Sequence, residues 1–588
     1  MHKMKSAALA VLLASCGLVR ADVLDKLPAD ALVAGKVANL TATSNKIAKL
    51  AKDLGIDAFV APLQNPLAAF KQQSRMEKGI NDSGEIGFAY LDPKTSPDLT
   101  PDDSFVIVIP VSSYADFLSN FGDAKTEAGV SEVTTPDGGG KPMFLADWGD
   151  GYAALSPAKA LVNKPSTRLK VTDAAAKEAG RQDFLVVANF EQLGQKLMPE
   201  LDKAVGEATK EIDNLGSDKI DPKYKPLMKV AANQLFAAGK TFLNSTNAAT
   251  IGLNISDAGI NSTVLSNFRP DSYLGQTSTK IKGTDKPLTI GLPAMRYLAY
   301  GGSTMDPAVA GKLFSDIAGP VLAELNKIEG IEGAKKLVAS ATATIGKNTG
   351  SVFAAPAPTK IGQEGIIQQL TLYRGGAAEM KTLFTDGGTF AKQFIADMKL
   401  PPDRPKPMLE IVQNEKSIEG VSFDSIKFEA KQNPDAPGAA QQEAIQNLMY
   451  GSSGMNYSYG TMGDDFLLVS GATDEAISAF IKSVKAGEDN VSKLEPVKAV
   501  AAELPKTRVL EYYLALDELV NTGVAAAAQF NLPVQVQLPP ELPPFGLTFG
   551  AEGASMRLDT HLPTTTVQSL IAAGMQAFMG MQQGGGNL

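Results

Sequence analysis

Ile477, Phe480, Ile481 and Val484 recur at i, i+3, i+4 and i+7 behind the apolar run "DFLLVS". This spacing predicts a buried strand followed by a helix with one apolar face. The stretch "FVIVIPVSSYADFLSNF" repeats the idea, with a strand at 105–109 and a helix presenting Tyr114, Phe117, Leu118 and Phe121. In "GYAALSPAKALV" an apolar strand again meets an expected helix start, with Ser156 placed to cap free amides and Pro157 at the first helical position. "SEVTT" and "PMFLADW" predict a hairpin around "GGGKP" at 138–142. Two helices are expected over about 191–214 and 223–243. A last apolar stripe, Val567, Leu570, Ile571, Met575 and Phe578, is expected to pack against a sheet. Strand–helix units mixed with hairpins predict an α+β fold, mainly antiparallel, with helices laid on one face.

The pattern occurs twice. "GDGYAALSPA" from Gly149 aligns with "GDDFLLVSGA" from Gly463, "NFEQL" from Asn189 with "ALDEL" from Ala515, and "IGLNISDAGINSTVL" from Ile251 with "FGLTFGAEGASMRLD" from Phe545. In the last pair Gly252 meets Gly546 and Gly259 meets Gly553, with turns expected at Asp257-Ala258-Gly259 and Glu552-Gly553. Three matches in one order predict two homologous lobes, 22–285 and 286–588. The first lobe spends its extra length on the two helices. The second is expected to replace them with "NLPVQVQLPPELPPF" (531–545), where proline blocks helix and favours an extended crossing. Loops rich in Pro and Asp fall at 92–104, 355–365 and 400–407, and "QQGGGNL" reads as a flexible tail.

Charge and cysteine usage then set the address. Met1–Ala21 carries Lys3 and Lys5, a short apolar run and small residues, the three parts of an export signal. Two cleavages compete. Leu13-Ala14-Ser15-Cys16 resembles a lipobox, which makes Cys16 a candidate lipid acceptor with residues 1–15 removed. Val19-Arg20-Ala21 resembles an ordinary signal-peptidase site with residues 1–21 removed. No later stretch is long and apolar enough for a transmembrane helix. Cutting after Ala21 takes away three of the 55 basic residues and no acid, leaving 52 against 64 and a net charge of −12. Such a chain repels phosphate backbones, so a nucleic-acid partner is not expected. Cys16 is the sole cysteine, so no disulfide is expected to brace the mature protein.

The side-chain inventory narrows the chemistry further. Of two histidines, His2 leaves with the signal and only His561 remains. Structural zinc sites, His-rich catalytic zinc and a Cys-His nucleophile are thereby excluded. Ser156-Pro157-Ala158-Lys159 fits the S-x-x-K motif of penicillin-binding proteins, but Lys-Thr-Gly is absent ("KNTG" stands at 347–350) and the aligned Ser470 lacks the lysine. A carboxylate-only site remains open, with Asp147, Asp150, Asp464 and Asp465 as candidates against a turn role. Trp148 and the pair Tyr457 and Tyr459 are candidate sugar platforms against core packing. "GGGKP" puts proline where a P-loop needs Ser or Thr, and no EF-hand loop occurs. A loop calcium site around Asp102 and Asp103 stays open. No cofactor is implied, and no catalytic, cofactor-binding or metal residue is assigned.

The order signal peptide, "ADVLDKLPADALVAGKVANL", "SFVIVIPVSSYADFLSNFG" resembles large exported bacterial envelope proteins of unknown function, mainly over residues 22–160. That resemblance implies an envelope location and transfers no site. The expectation is an exported, non-catalytic binding or scaffolding protein, periplasmic or on the cell surface, whose partner is an envelope ligand or protein. The alternative is a carboxylate-dependent hydrolase of envelope glycans.

Overall fold

The computed structural model describes residues 22–588 except 96–98, 123, 135–141, 217–220, 398–406, 430–438, 453, 531, 533–535 and 585–588. The expected export signal with Cys16, nearly all of "GGGKP", most of the 400–407 loop and the end of the tail lie outside the described residues. Among the described residues there are twenty strands. The first ten are β1 (Val33–Val37), β2 (Ile86–Tyr90), β3 (Phe105–Pro110), β4 (Lys125–Glu127), β5 (Val130–Thr134), β6 (Pro142–Gly149), β7 (Tyr152–Ser156), β8 (Phe184–Asn189), β9 (Thr246–Ile255) and β10 (Gly259–Phe268). The second ten are β11 (Tyr297–Thr304), β12 (Gly350–Pro356), β13 (Gln369–Arg374), β14 (Met408–Ile418), β15 (Val421–Glu429), β16 (Met455–Met462), β17 (Asp465–Ser470), β18 (Leu510–Leu514), β19 (Phe545–Glu552) and β20 (Ser555–Pro563).

Adding ten to each strand number carries one half onto the other. β1 pairs with β2 and β8, β3 with β2 and β7, β4 with β5, β5 with β6, β6 with β7, and β8 with β9. β11 pairs with β12 and β18, β13 with β12 and β17, β14 with β15, β15 with β16, β16 with β17, and β18 with β19. Each of these strand pairings is antiparallel. The fold is therefore α+β with two homologous lobes of antiparallel sheet. The three sequence matches fall at β7 and β17, at the ends of β8 and β18, and at the β9 and β19 turns.

Helices occupy matching gaps. Leu40–Asp53 and Pro66–Ser74 lie between β1 and β2, and Pro307–Leu325 and Glu332–Ile345 between β11 and β12. The two expected first-lobe helices form at Phe190–Asn214 and Lys225–Ser245. The second lobe does not lose both. It keeps one, Leu516–Gln529, ahead of the proline-rich crossing, because the run "LVNTGVAAAAQ" holds no proline. The Asp474–Ala486 helix, capped by Thr473, buries Ile477, Phe480 and Ile481 as the spacing predicts. The turn after β7 departs from expectation. Residues Lys159–Val162 form a short 3-10 turn with Ala158 at its N-cap, so neither Ser156 nor Pro157 starts an α-helix.

The chain forms two compact units, one running to Leu193 and taking in Asn247–Ile255, the other comprising Gly194–Thr246 and Ser256–Leu588. Residue 285 lies inside the second unit, since β10 pairs with β20 from Gly259↔Pro563 to Asn267↔Ser555. The first unit is built around Val106, Val108, Trp148 and Leu185 on one side, and Phe117, Phe121, Leu145 and Leu155 on another. The second packs Leu370, Val469, Ile477 and Phe480 together, and separately Tyr459, Phe466, Leu468 and Met380. Neighbours on a strand face opposite ways. Val469 and Leu468 therefore put the Asp474–Ala486 and Ala377–Asp397 helices on opposite faces of β17, a second helical layer beyond the one expected. The C-terminal helix, Thr564–Gly584, buries Thr566 and Ala573, while Met575 and Phe578 stand exposed.

Candidate functional site

The second unit carries an open cavity of about 1130 Å³ over β15, β16 and β17. Its floor follows from strand register. Ser425 pairs with Ser458 and Ser458 with Val469, so these three share one face, and Lys427 joins them two residues on. The opposite face carries Ile426, Tyr457, Tyr459, Phe466 and Leu468 in an apolar cluster. The alternation "NYSY" is what makes β16 two-sided. Asn456 and Ser458 line the cavity, and Tyr457 and Tyr459 belong to the apolar side. One wall is the start of the Asp474–Ala486 helix, and Glu415 and Lys416 of β14 stand at the rim.

Four of the five charged side chains lining this cavity pair off, and the fifth is the Glu429 carboxylate. Lys427 hydrogen-bonds Glu415, and Lys416 Nζ lies 2.7 Å from Asp474 Oδ1. The Lys427 ammonium, helped by the Ser425 hydroxyl, holds the Glu415 carboxyl below the usual range, and Glu415 in turn pushes Lys427 up. A general acid for glycoside cleavage needs the reverse, a carboxyl held protonated by burial or a neighbouring anion. Ser425 Oγ and Ser458 Oγ bond each other at 2.8 Å, and the Ser425 hydroxyl also faces the Glu415 carboxyl. The lining suits a polar ligand of small net charge. Sequence reasoning passed over Glu415, Lys427, Asn456 and Ser458, although the polar positions alternating with Tyr457 and Tyr459 were the available signal.

The structure takes up the other candidates singly. Ser156 is fully buried; its Oγ donates to the Phe105 carbonyl at 2.7 Å and accepts the Ala158 N–H at 3.1 Å. Lys159 turns to the surface and pairs with Glu127 at 3.2 Å, so the S-x-x-K pattern does not assemble. His561 is buried within β20, with Nδ1 2.7 Å from Asn261 Oδ1, and burial pushes its pKa down. Trp148 donates Nε1–H to the Val162 carbonyl at 2.7 Å from inside the first core, and Tyr459 lies against Phe384 and Phe466. Tyr457 packs, half-buried, against the same cluster, so all three rings are packing groups.

The four aspartates serve turns. Asp147 accepts the Gly149 N–H, and Asp150, at φ 54° between two glycines, pairs with Lys26 at 2.8 Å. The Lys26 hydrogen bond holds the Asp150 carboxyl below its ordinary range. Asp464 offers its backbone carbonyl to the Ala377 N–H, and Asp465 accepts the Gly375 N–H. Asp103 accepts from Thr100 Oγ1 in the short 3-10 turn it shares with Asp102. Among the described residues no group of three or more His, Cys, Asp or Glu is placed to hold a metal ion. Nor is any described helix long and apolar enough to cross a membrane.

No family model and no curated protein matches this chain. One solved structure to which it is similar, titled "Structure of crystal form I of TP0453", aligns at 11% identity with a TM-score of 0.22, over 42% of this chain and 80% of that one. A likeness at that level carries no argument about fold or activity.

Proposed function

We propose that this is an exported, non-catalytic binding or scaffolding protein of the bacterial cell envelope, whose second lobe holds a polar, nearly neutral ligand. The observation carrying this reading is the cavity over β15–β17, large enough for a small ligand and with four of its five lining charges neutralised in pairs. Its dense hydroxyl and amide lining favours hydrogen-bonded recognition. Support for non-catalysis comes from Ser156, whose hydroxyl is saturated, and from Glu415, whose pKa moves away from that of an acid catalyst. The competing reading is a carboxylate hydrolase of envelope glycans.

Soluble cell-wall glycan fragments incubated with the purified protein separate the two. Mass spectrometry is expected to return the fragments intact, and calorimetry to show binding that Ser458→Trp abolishes by filling the cavity. Cleavage products that disappear in Glu429→Gln or Glu415→Gln would establish the hydrolase instead.

A further inference from the structure

From Asp22 onward the chain is locked into the first unit. Val23, Leu24 and Leu27 are fully buried, in the same cluster as Trp148. Val23 rests on Gly87, where an added Cβ would come within 2.8 Å of a Val23 methyl. Beneath this segment is an ionic clasp. Lys36, on β1, is 3% exposed; its Nζ lies 2.6 Å from Asp22 Oδ2 and 3.1 Å from Glu85 Oε1. Asp22 Oδ1 accepts the Leu24 N–H at 3.0 Å, and Glu85 Oε2 accepts the Val23 N–H at 3.2 Å. One ammonium thus serves two carboxylates. The other cations close by are Lys26, which is committed to Asp150 at 2.8 Å, and Arg168, which acts on Asp25 and Asp150.

We infer that the export signal is cut between Ala21 and Asp22, and that the α-ammonium this creates on Asp22 becomes the second cation of the Asp22–Lys36–Glu85 clasp. In that hydrolysis water adds across the Ala21–Asp22 amide, leaving a carboxylate on Ala21 and the ammonium on Asp22. The Asp22 nitrogen is one residue from an amide already bonded to Glu85, so covalent geometry keeps it within about 7 Å of that carboxylate. At that range, beside a buried ammonium and low-dielectric packing, an added positive charge stabilises two carboxylates that share one Lys. Cleavage before Cys16 would leave six residues ahead of Asp22 and an uncharged amide in the ammonium's place. Processing at Asp22 therefore tightens the first unit. The inference rests on the export reading above.

Two measurements test it. Intact-mass analysis of the protein recovered from its native envelope is expected to show a chain starting at Asp22. A chain starting at a diacylated Cys16 overturns this inference and leaves export standing, whereas an uncut chain starting at Met1 overturns both. The second test compares purified 22–588 having a free Asp22 amine with the same chain carrying a Gly-Ser extension, following Trp148 emission on heating. The extension is expected to lower the midpoint by about 2 °C or more, and Glu85→Gln is expected to shrink that difference. Equal midpoints in the wild-type pair overturn the role of the ammonium, even where Glu85→Gln fails to fold.

Discussion

His561 and Asn261 face each other across the β20–β10 pair, with Nδ1 2.7 Å from Oδ1 and the imidazole only 2% exposed. Burial pushes the imidazole pKa below its ordinary 6.5, with a smaller opposing pull from Glu503. Below that value the unfolded chain takes up a proton that the folded chain resists. Stability from this residue is therefore present above about pH 6.5 and is lost as pH falls toward the depressed folded value. The loss is no steeper than about 1.4 kcal/mol per pH unit. Because the described residues hold no other histidine, His561→Gln should flatten the stability profile between about pH 5 and 7. Denaturant melts of both proteins across that range check it, and parallel profiles would refute it.

Gly252 and Gly546 hold the same place in the repeat, and each lies under a close neighbour. A Cβ on Gly252 would meet Gln182 Cγ at 2.5 Å, and one on Gly546 would meet Val500 Cγ1 at 2.4 Å. Gly252→Ala and Gly546→Ala are each expected to cost about 1–3 kcal/mol of unfolding free energy through overpacking. Gly206→Ala, with open space around it in the Phe190–Asn214 helix, should instead be neutral or stabilising. Chemical denaturation of the three variants measures the contrast.

Removing the Ser156 hydroxyl leaves the Phe105 carbonyl and Ala158 N–H without their partner inside the core. Ser156→Ala should cost about 1–3 kcal/mol. Lys159→Ala, whose ion pair with Glu127 is largely exposed, should change stability by less than about 0.5 kcal/mol. A serine enzyme of the S-x-x-K type would give the opposite ranking in an activity assay, with both variants inactive.

Trp148 is the sole tryptophan and sits in the core of the first unit. Its emission should be blue-shifted in the native protein and move red only when that unit opens. Phe480→Ala, which empties a fully buried site in the second unit and should cost about 3–5 kcal/mol, is expected to leave the Trp148 transition nearer its wild-type midpoint than the circular-dichroism transition. Coincident shifts of both signals would show that the units unfold as one.

Where the structure follows the pattern of residues, the reasons are local. Ile477, Phe480 and Ile481 lie on one helix face by spacing alone, and Thr473 is an N-cap because its hydroxyl reaches the Ala476 N–H three residues on. The duplicated order of strands was legible because two of the three aligned segment pairs carry their own turn glycines. The Ser156 cap was misplaced for a reason no local pattern holds. The Ser156 oxygen does accept the Ala158 N–H, but its O–H is tied to the Phe105 carbonyl, 51 residues earlier, and the chain beyond forms only a short 3-10 turn. The cavity was overlooked similarly, since Tyr457 and Tyr459 drew attention to the face that turned out to be packed.

The amino-acid sequence by itself determined the α+β class, the antiparallel strands, most helix positions and the doubling of the architecture. These depend on residue periods of two and 3.6 and on turn chemistry within a few residues. Only the tertiary structure decided that His561 is buried against Asn261, 300 residues away, that Lys36 joins Asp22 to Glu85, and that Lys427 and Glu415 neutralise each other beside an open cavity. Each of those is a meeting of polar groups across strands. Its outcome turns on which partner the fold brings within hydrogen-bonding distance, and the chain's local pattern carries no record of that.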